Sequence, residues 1–322
     1  MSKIAVIGMS SLFPGSSTNE VFWQNLIDKK DCRSEATEKE MSGDPNAFYA
    51  SAKGVDDRYY CMNGGYVHEF EMDGEGINLP AEQLDALDDM FKWSLYAARE
   101  ALKDSGYINN DAVLERCGVI LGNLSFPTKS SNQIFLPIYH RALNDAVAKL
   151  LDDDQFVLPR YAESQAVLPH NGLISGYPAA LIAQALNLKG SNFALDAACA
   201  SSLYSTKLAC DYLTSGRADI MLAGAISGAD PLFVNMGFSI FQAYPENGIS
   251  APLDTRSEGL FAGEGGGMLV LKRYDDAVRD GDNIYAKIEG GGLSNDGKGQ
   301  FVLSPNTKGQ VLAYERAYNE AN

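Results

Sequence analysis

The sequence predicts an α/β layered fold. Two observations carry that prediction: apolar runs of strand length alternate with stretches whose apolar residues recur at three- and four-residue steps, and several strand runs end at glycine or small residues. A third sets the scale. Of 322 residues, 45% are hydrophobic and 21% charged, which suits a globular chain with a sizeable core and a length for about two domains.

The elements follow in order. Residues 4–7 form a buried strand that stops at Gly8. Ser17, Thr18, Asn19 and Glu20 can cap a helix running through Val21, Phe22, Leu26 and Ile27. Residues 31–76 are polar and rich in Gly, Asp and Tyr, and read as an excursion over the surface. Leu79-Pro80 opens one long helix through Leu84, Leu87, Phe91, Leu95, Ala98 and Leu102, with Gly106 as its stop. Residues 117–121 are a strand, with Cys117 as core packing. Residues 130–150 are helical, kinked or divided at Pro137. A further helix over 175–188 is broken near its start by Pro178. The strand over 191–195 delivers Asp196 and Cys199; strands over 218–225, 267–271 and 284–288 follow, and a last helix starts near Asn306.

Charge narrows the function classes. The net charge of −16 opposes general nucleic-acid binding, which needs cations against phosphates, and opposes an anionic membrane surface. No stretch approaches the roughly 18 apolar residues of a membrane span, and the apolar run at the N-terminus is too short for a signal peptide. Cys32, Cys61, Cys117, Cys199 and Cys210 are scattered without a CxxC pair, as in a reducing compartment. These features predict a cytoplasmic protein. His68, His140 and His170 lie far apart without metal-ligand spacing.

Cys199 is the candidate catalytic residue. It follows an apolar run and a small-residue turn, and a helical pattern begins beside it, where unpaired N–H groups and the helix dipole favour a thiolate. Its neighbours Ala197, Ala198, Ala200, Ser201 and Ser202 are small and leave room for a substrate. Leu203, Thr206, Cys210 and Leu213 step along one helix face, and Gly216 ends the helix. Cys210 lies about 16 Å along the axis from Cys199, too far for a disulfide, and reads as packing. No histidine is an evident partner for the thiol.

Gly263-Glu264-Gly265-Gly266-Gly267 precedes a strand and lacks a following Lys-Ser/Thr, so close backbone packing beside a site explains it better than a nucleotide loop. Residues 273–282 read as a solvated helix and turn.

Asp196-Ala197-Ala198-Cys199-Ala200-Ser201-Ser202-Leu203 resembles the active-site signature of β-ketoacyl synthases. Ile4-Ala5-Val6-Ile7-Gly8-Met9, the GLFAGEGGGMLVLKR segment over 259–273, residues 279–286, Ser294-Asn295-Asp296-Gly297 and Ser304-Pro305-Asn306 resemble further family landmarks in order. Leu124-Ser125-Phe126-Pro127-Thr128, residues 135–140 and Met236-Gly237-Phe238-Ser239-Ile240-Phe241 are most similar to ketosynthases of bacterial polyunsaturated fatty acid synthases, in the subunit that also carries a chain-length-factor domain.

The resemblance implies a thiolase-like layered αβαβα fold, with residues 1–273 as the half that holds the nucleophile and 274–322 as an incomplete start of the second half. It implies that Cys199 takes an acyl chain from the phosphopantetheine of an acyl carrier protein. Malonyl on a carrier then loses carbon dioxide, and its enolate attacks the thioester in a decarboxylative Claisen condensation. No metal or directly bound cofactor is implied. A homodimer, or pairing with a chain-length-factor domain, is. The family's two catalytic histidines belong to motifs expected beyond Asn322, so this chain is expected to be acylated without condensing. A carrier would need a local basic patch, for which Lys129, Lys272 and Arg273 are candidates. The alternative is a non-catalytic chain-length-factor-like or assembly fragment; the presence of Cys199 opposes the former.

Overall fold

The computed structural model describes residues 3–159, 167–298 and 304–322. Its strands are β1 (Ile4–Leu12), β2 (Ser34–Glu35), β3 (Asn63–Gly64), β4 (Cys117–Asn123), β5 (Asn192–Leu195), β6 (Ile220–Ser227), β7 (Gly265–Arg273) and β8 (Ala286–Ile288). Its helices are α1 (Asn19–Ile27), α2 (Glu38–Met41), α3 (Ala81–Asp85), α4 (Asp89–Asp104), α5 (Asp111–Leu114), α6 (Lys129–Leu151), α7 (Tyr177–Ala185), α8 (Ser201–Thr214), α9 (Pro231–Ile240), α10 (Tyr274–Asp280) and α11 (Thr307–Ala321).

Six strands form one mixed sheet in the order β5-β4-β6-β7-β1-β8, with β4 parallel to β5 and β6, and β7 antiparallel to β6 and β1. Side chains alternate across it, as a period of two requires. Val119, Leu121, Leu222 and Val270 pack on one face with Phe91, Leu95 and Leu102 of α4 and Leu181 and Ile182 of α7. Ile120, Met221, Ala223 and Leu271 pack on the other with Ala209, Cys210 and Leu213 of α8. Helices therefore cover both faces. A second large sheet, which a five-layer arrangement requires, is not among the described residues.

Several local expectations change. β1 does not stop at Gly8 but runs to Leu12, with its pairing to β7 shifted between Val6 and Gly8. Gly8 is needed because a Cβ there would meet the Ala101 carbonyl at 2.6 Å and Ser105 Cβ at 2.7 Å. The long helix expected from Leu79 is two helices, because Asp88 caps α4 through the Met90 N–H. α6 is continuous through Pro137, and Pro178 sits in the first turn of α7, where its missing N–H costs little. α1 has its expected Thr18 cap, yet none of its residues is buried. The surface excursion holds a small core of its own, built on Ala36, Met41, Tyr59 and Tyr66.

Residues 273–282 form the expected helix and turn, largely exposed with only Ala277 buried, but the cations at their start are not free. Lys272, at the mouth of that segment, is only 5% exposed. Its ammonium lies 2.7 Å from each of Asp280, Asp282 and the Tyr107 hydroxyl. Arg273 binds Asp219 and Asp276. The long stems bury readily, and their charges are matched rather than offered to a partner. Removing the cation strands a buried carboxylate, Asp282. Lys272→Met is therefore expected to cost about 3–5 kcal/mol in a urea melt. Lys272→Met with Asp282→Leu should recover most of that loss; two additive losses would show that the pair is not coupled.

Candidate active site

The parallel strands β4, β5 and β6 end together, with Gly122 level with Leu195 on one side and Ala225 on the other. β1 finishes at the same edge, where Leu12 and Ile226 both face Gly266 of β7. The carboxyl ends of strands leave such an edge open, because the chain must turn away from the sheet there.

A cleft of about 430 Å³ occupies this edge. Its walls include Phe13, Asn123, Leu124, Ala198, Cys199 and the glycines 265–267. The exposed Cys199 stands between β5 and α8, two residues before the helix starts. The turn that presents it is sharp: Ala198 has φ +50°, a left-handed conformation that strains a residue with a Cβ. Three hydrogen bonds hold it. The Ala198 N–H donates to Asp196 Oδ1, the Ala197 N–H donates to Ser201 Oγ, and Ser201 Oγ–H donates to the Ala198 carbonyl.

The face that α8 turns to the sheet differs from the expected apolar row. Ser201, Ser205 and Ala209 are buried, while Leu203 is 66% exposed. The reason is close approach. A Cβ at Gly122 would lie 2.8 Å from the Ser201 carbonyl carbon, and Ser205 Oγ–H donates to the Gly224 carbonyl at 2.8 Å. Only small residues fit between helix and sheet at this end of α8, so serine outranks leucine there, while Leu213 packs on the sheet further along. Cys210 and Cys117 are core thiols, and burial pushes them up to about 11 and about 12.

The glycine-rich segment packs as expected. A Cβ at Gly265 would overlap the Leu12 carbonyl, and one at Gly266 would lie 2.5 Å from the Ala225 carbonyl. Glu264, just before it, ties the surface excursion to this wall: its N–H donates to the Gly65 carbonyl, and its Oε2 accepts the Val67 N–H at 2.9 Å. Burial pushes the Glu264 carboxyl up to about 7, with Glu40 and Asp89 adding to the rise and Lys129 opposing it. Between the ordinary 4.5 and about 7, the folded chain holds a proton that the unfolded chain has lost. Stability attributable to this group therefore falls as pH rises through that window. Glu264→Gln should show a flatter stability-against-pH curve there in urea melts; an unchanged slope would refute the assignment.

None of the three histidines lines the Cys199 cleft. His68 contacts Ser34, His140 contacts the Leu158 carbonyl at 2.9 Å, and His170 stacks on Tyr177. Among the described residues, no group of three or more His, Cys, Asp or Glu side chains could hold a metal ion, and no helix is long and apolar enough to cross a membrane. The expected basic patch is not assembled. Lys272 and Arg273 are committed to carboxylates, and Lys129, which donates to the Lys39 carbonyl, lines a small cavity with Asp88, Asp89 and Glu264. Sequence reading missed Phe13, Asn123 and Leu124 as wall residues. Their position at strand ends was the available signal, but it needed the strand order to be useful.

The model of the β-ketoacyl synthase N-terminal domain matches residues 1–277. The chain belongs to the β-ketoacyl synthase family. Polyunsaturated fatty acid synthase subunits A and B of Thraustochytrium sp. are 32% and 34% identical over 99% of this chain. The chain spans only 12% and 15% of their lengths. Among solved structures, a PfaC keto synthase-chain length factor matches all of the chain at 59% identity with a TM-score of 0.94, over 34% of that protein. The module 6 ketosynthase of the Bacillus subtilis 168 bacillaene synthase matches 98% of the chain at 26% identity, TM-score 0.71, over 48% of its own length. The mixed sheet with its helices is thus the thiolase-like ketosynthase fold.

Proposed function

We propose that the chain is the nucleophile-bearing part of a β-ketoacyl-acyl carrier protein synthase acting in polyunsaturated fatty acid synthesis, and that Cys199 is its acyl acceptor. The single observation that carries this reading is the exposed thiol on a strained strand-to-helix turn, opening into a cleft at the carboxyl edge of the sheet. The Cys199 sulfur attacks the carbonyl of an acyl thioester. The carbon–sulfur bond to the carrier's phosphopantetheine breaks, and the departing thiolate takes up the proton. Backbone N–H groups at the start of α8, with that of Cys199, stabilise the developing oxyanion. The enolate formed when malonyl-carrier loses carbon dioxide then displaces the acyl group from Cys199, forming the new carbon–carbon bond.

The cleft is lined by apolar and small residues without Lys or Arg among them. It suits an acyl chain and the neutral part of a pantetheine arm. Residues 1–273 form the nucleophile half and 274–322 open the second. Pairing with another ketosynthase-type domain is supported by α6, whose Leu136, Ile138, Tyr139 and Leu143 are each more than half exposed. The test is intact-mass and peptide analysis after incubation with an acyl carrier protein bearing a medium-chain acyl group. One acyl adduct on Cys199 is expected; a folded chain with unmodified Cys199 would overturn the proposal.

A further inference from the structure

A second arrangement of nucleophilic chemistry lies in the surface excursion. Ser34 of β2, His68 just after β3, and Glu40 of α2 meet there. Ser34 Oγ is 2.9 Å from His68 Nε2, and His68 Nδ1 is 3.4 Å from Glu40 Oε1. The β2–β3 pairing, with Ser34 opposite Gly64, brings the serine beside the segment that runs from β3 to His68.

The carboxylate is fixed. Glu40 Oε2 accepts both the Thr37 N–H at 2.9 Å and the Thr37 hydroxyl at 2.5 Å in a capping box, leaving Oε1 toward the imidazole. Burial alone would raise the Glu40 carboxyl, but the Thr37 hydrogen bonds and His68 hold it below its ordinary value. A carboxylate can only accept, so the neutral imidazole places its proton on Nδ1 and its lone pair on Nε2, facing the Ser34 hydroxyl. That is the order of contacts in a serine–histidine–acid relay. The side chain of Glu40 is 4% exposed and that of His68 42%, so the acid is sheltered and the base is reachable.

His68 also walls a cleft of about 480 Å³, with Phe13, Val21, Phe70 and Tyr96 as apolar surface and Glu69 and Glu71 as its charges. Ser34 stands one hydrogen bond from that wall. The lining has no Lys or Arg, so the cleft repels anions and accepts an uncharged ester.

We propose that Ser34, His68 and Glu40 form a second acyl-accepting site that hydrolyses small, uncharged carboxylic esters. Ser34 Oγ bonds to the ester carbonyl carbon while its proton passes to His68 Nε2. The carbon–oxygen bond to the leaving alcohol breaks, and the alcohol takes that proton. Water then gives a proton to His68 and bonds to the acyl carbon; Ser34 leaves, recovers the proton and releases the carboxylic acid. Glu40 acts as a positioning residue through His68.

The test uses the full chain carrying Cys199→Ala, so its outcome is independent of the ketosynthase reading. An uncharged alkyl fluorophosphonate is expected to give one adduct, mapped to Ser34, and Ser34→Ala to lose it. His68→Asn, with the fold checked by circular dichroism, should label about a hundredfold more slowly. p-Nitrophenyl butyrate should be turned over beyond one equivalent. No adduct at Ser34 in the folded chain, or labelling of His68→Asn at the unsubstituted rate, would overturn the site; release that stops at one equivalent would overturn the hydrolytic step.

Discussion

Cys199→Ala is expected to abolish covalent acylation of the chain by an acyl-loaded carrier protein, so that the adduct disappears from the mass spectrum rather than diminishing. The expected loss is complete because the core thiols are poor substitutes. Cys117 and Cys210 are buried and pushed up to about 12 and about 11, so at neutral pH each remains protonated and out of reach. The substitution should leave stability nearly unchanged, since the side chain is exposed and packs against little. An adduct that persists on another residue, or a chain that unfolds when Cys199 is replaced, would contradict the assignment. Cys199→Ser gives a second reading: the fold is kept, but a hydroxyl in the same position is a far weaker nucleophile.

Gly224→Ala is expected to be the most damaging small substitution in the sheet, costing at least about 3 kcal/mol in a urea melt. A Cβ at Gly224 would overlap the Gly267 carbonyl oxygen and lie 2.9 Å from Met268 Cα. Both are backbone atoms of the neighbouring strand, so no side-chain rotation can relieve the clash. The two strands would have to separate, and the Gly265–Gly267 wall of the Cys199 cleft would move with β7. Stability and Cys199 acylation should therefore fall together. The contrasting substitution is Gly237→Ala in α9, where a Cβ would meet nothing within 4 Å. There, alanine should raise stability by about 0.5–1 kcal/mol, because glycine in a helix interior loses more chain entropy. Equal effects at the two positions would show that the close strand approach at Gly224 does not constrain the sheet.

Much of the fold is legible because the local signals are strong. The 117–121 run extends by only two residues to Asn123, and β6 and β7 lie where continuous apolar runs place them. The Thr18 cap and the Asn306 start of the last helix are local chemistry and appear in place. Errors occur where tertiary contact overrules a local cue. Gly8 reads as a strand end, yet it is a point where α4 crosses close to a continuing strand. Lys272 and Arg273 read as candidates for a basic patch, yet Asp280 and Asp282 fold back on Lys272 through the α10 turn, and Asp219 reaches Arg273 from 54 residues away.

The sequence by itself determined the α/β alternation, the thiol proposed as nucleophile and the family, because strand and helix periods, a cysteine and an ordered set of motifs are written along the chain. Tertiary structure alone decided which residues surround that thiol. Phe13, Asn123, Ser227 and Gly265–Gly267 become neighbours of Cys199 only through the order β5-β4-β6-β7-β1. It also decided that Ser201, Ser205 and Ala209 of α8, rather than Leu203, face the sheet, and that Ser34, Glu40 and His68 meet. Strand pairing and close packing join positions far apart in sequence, and no local pattern encodes a distance between them.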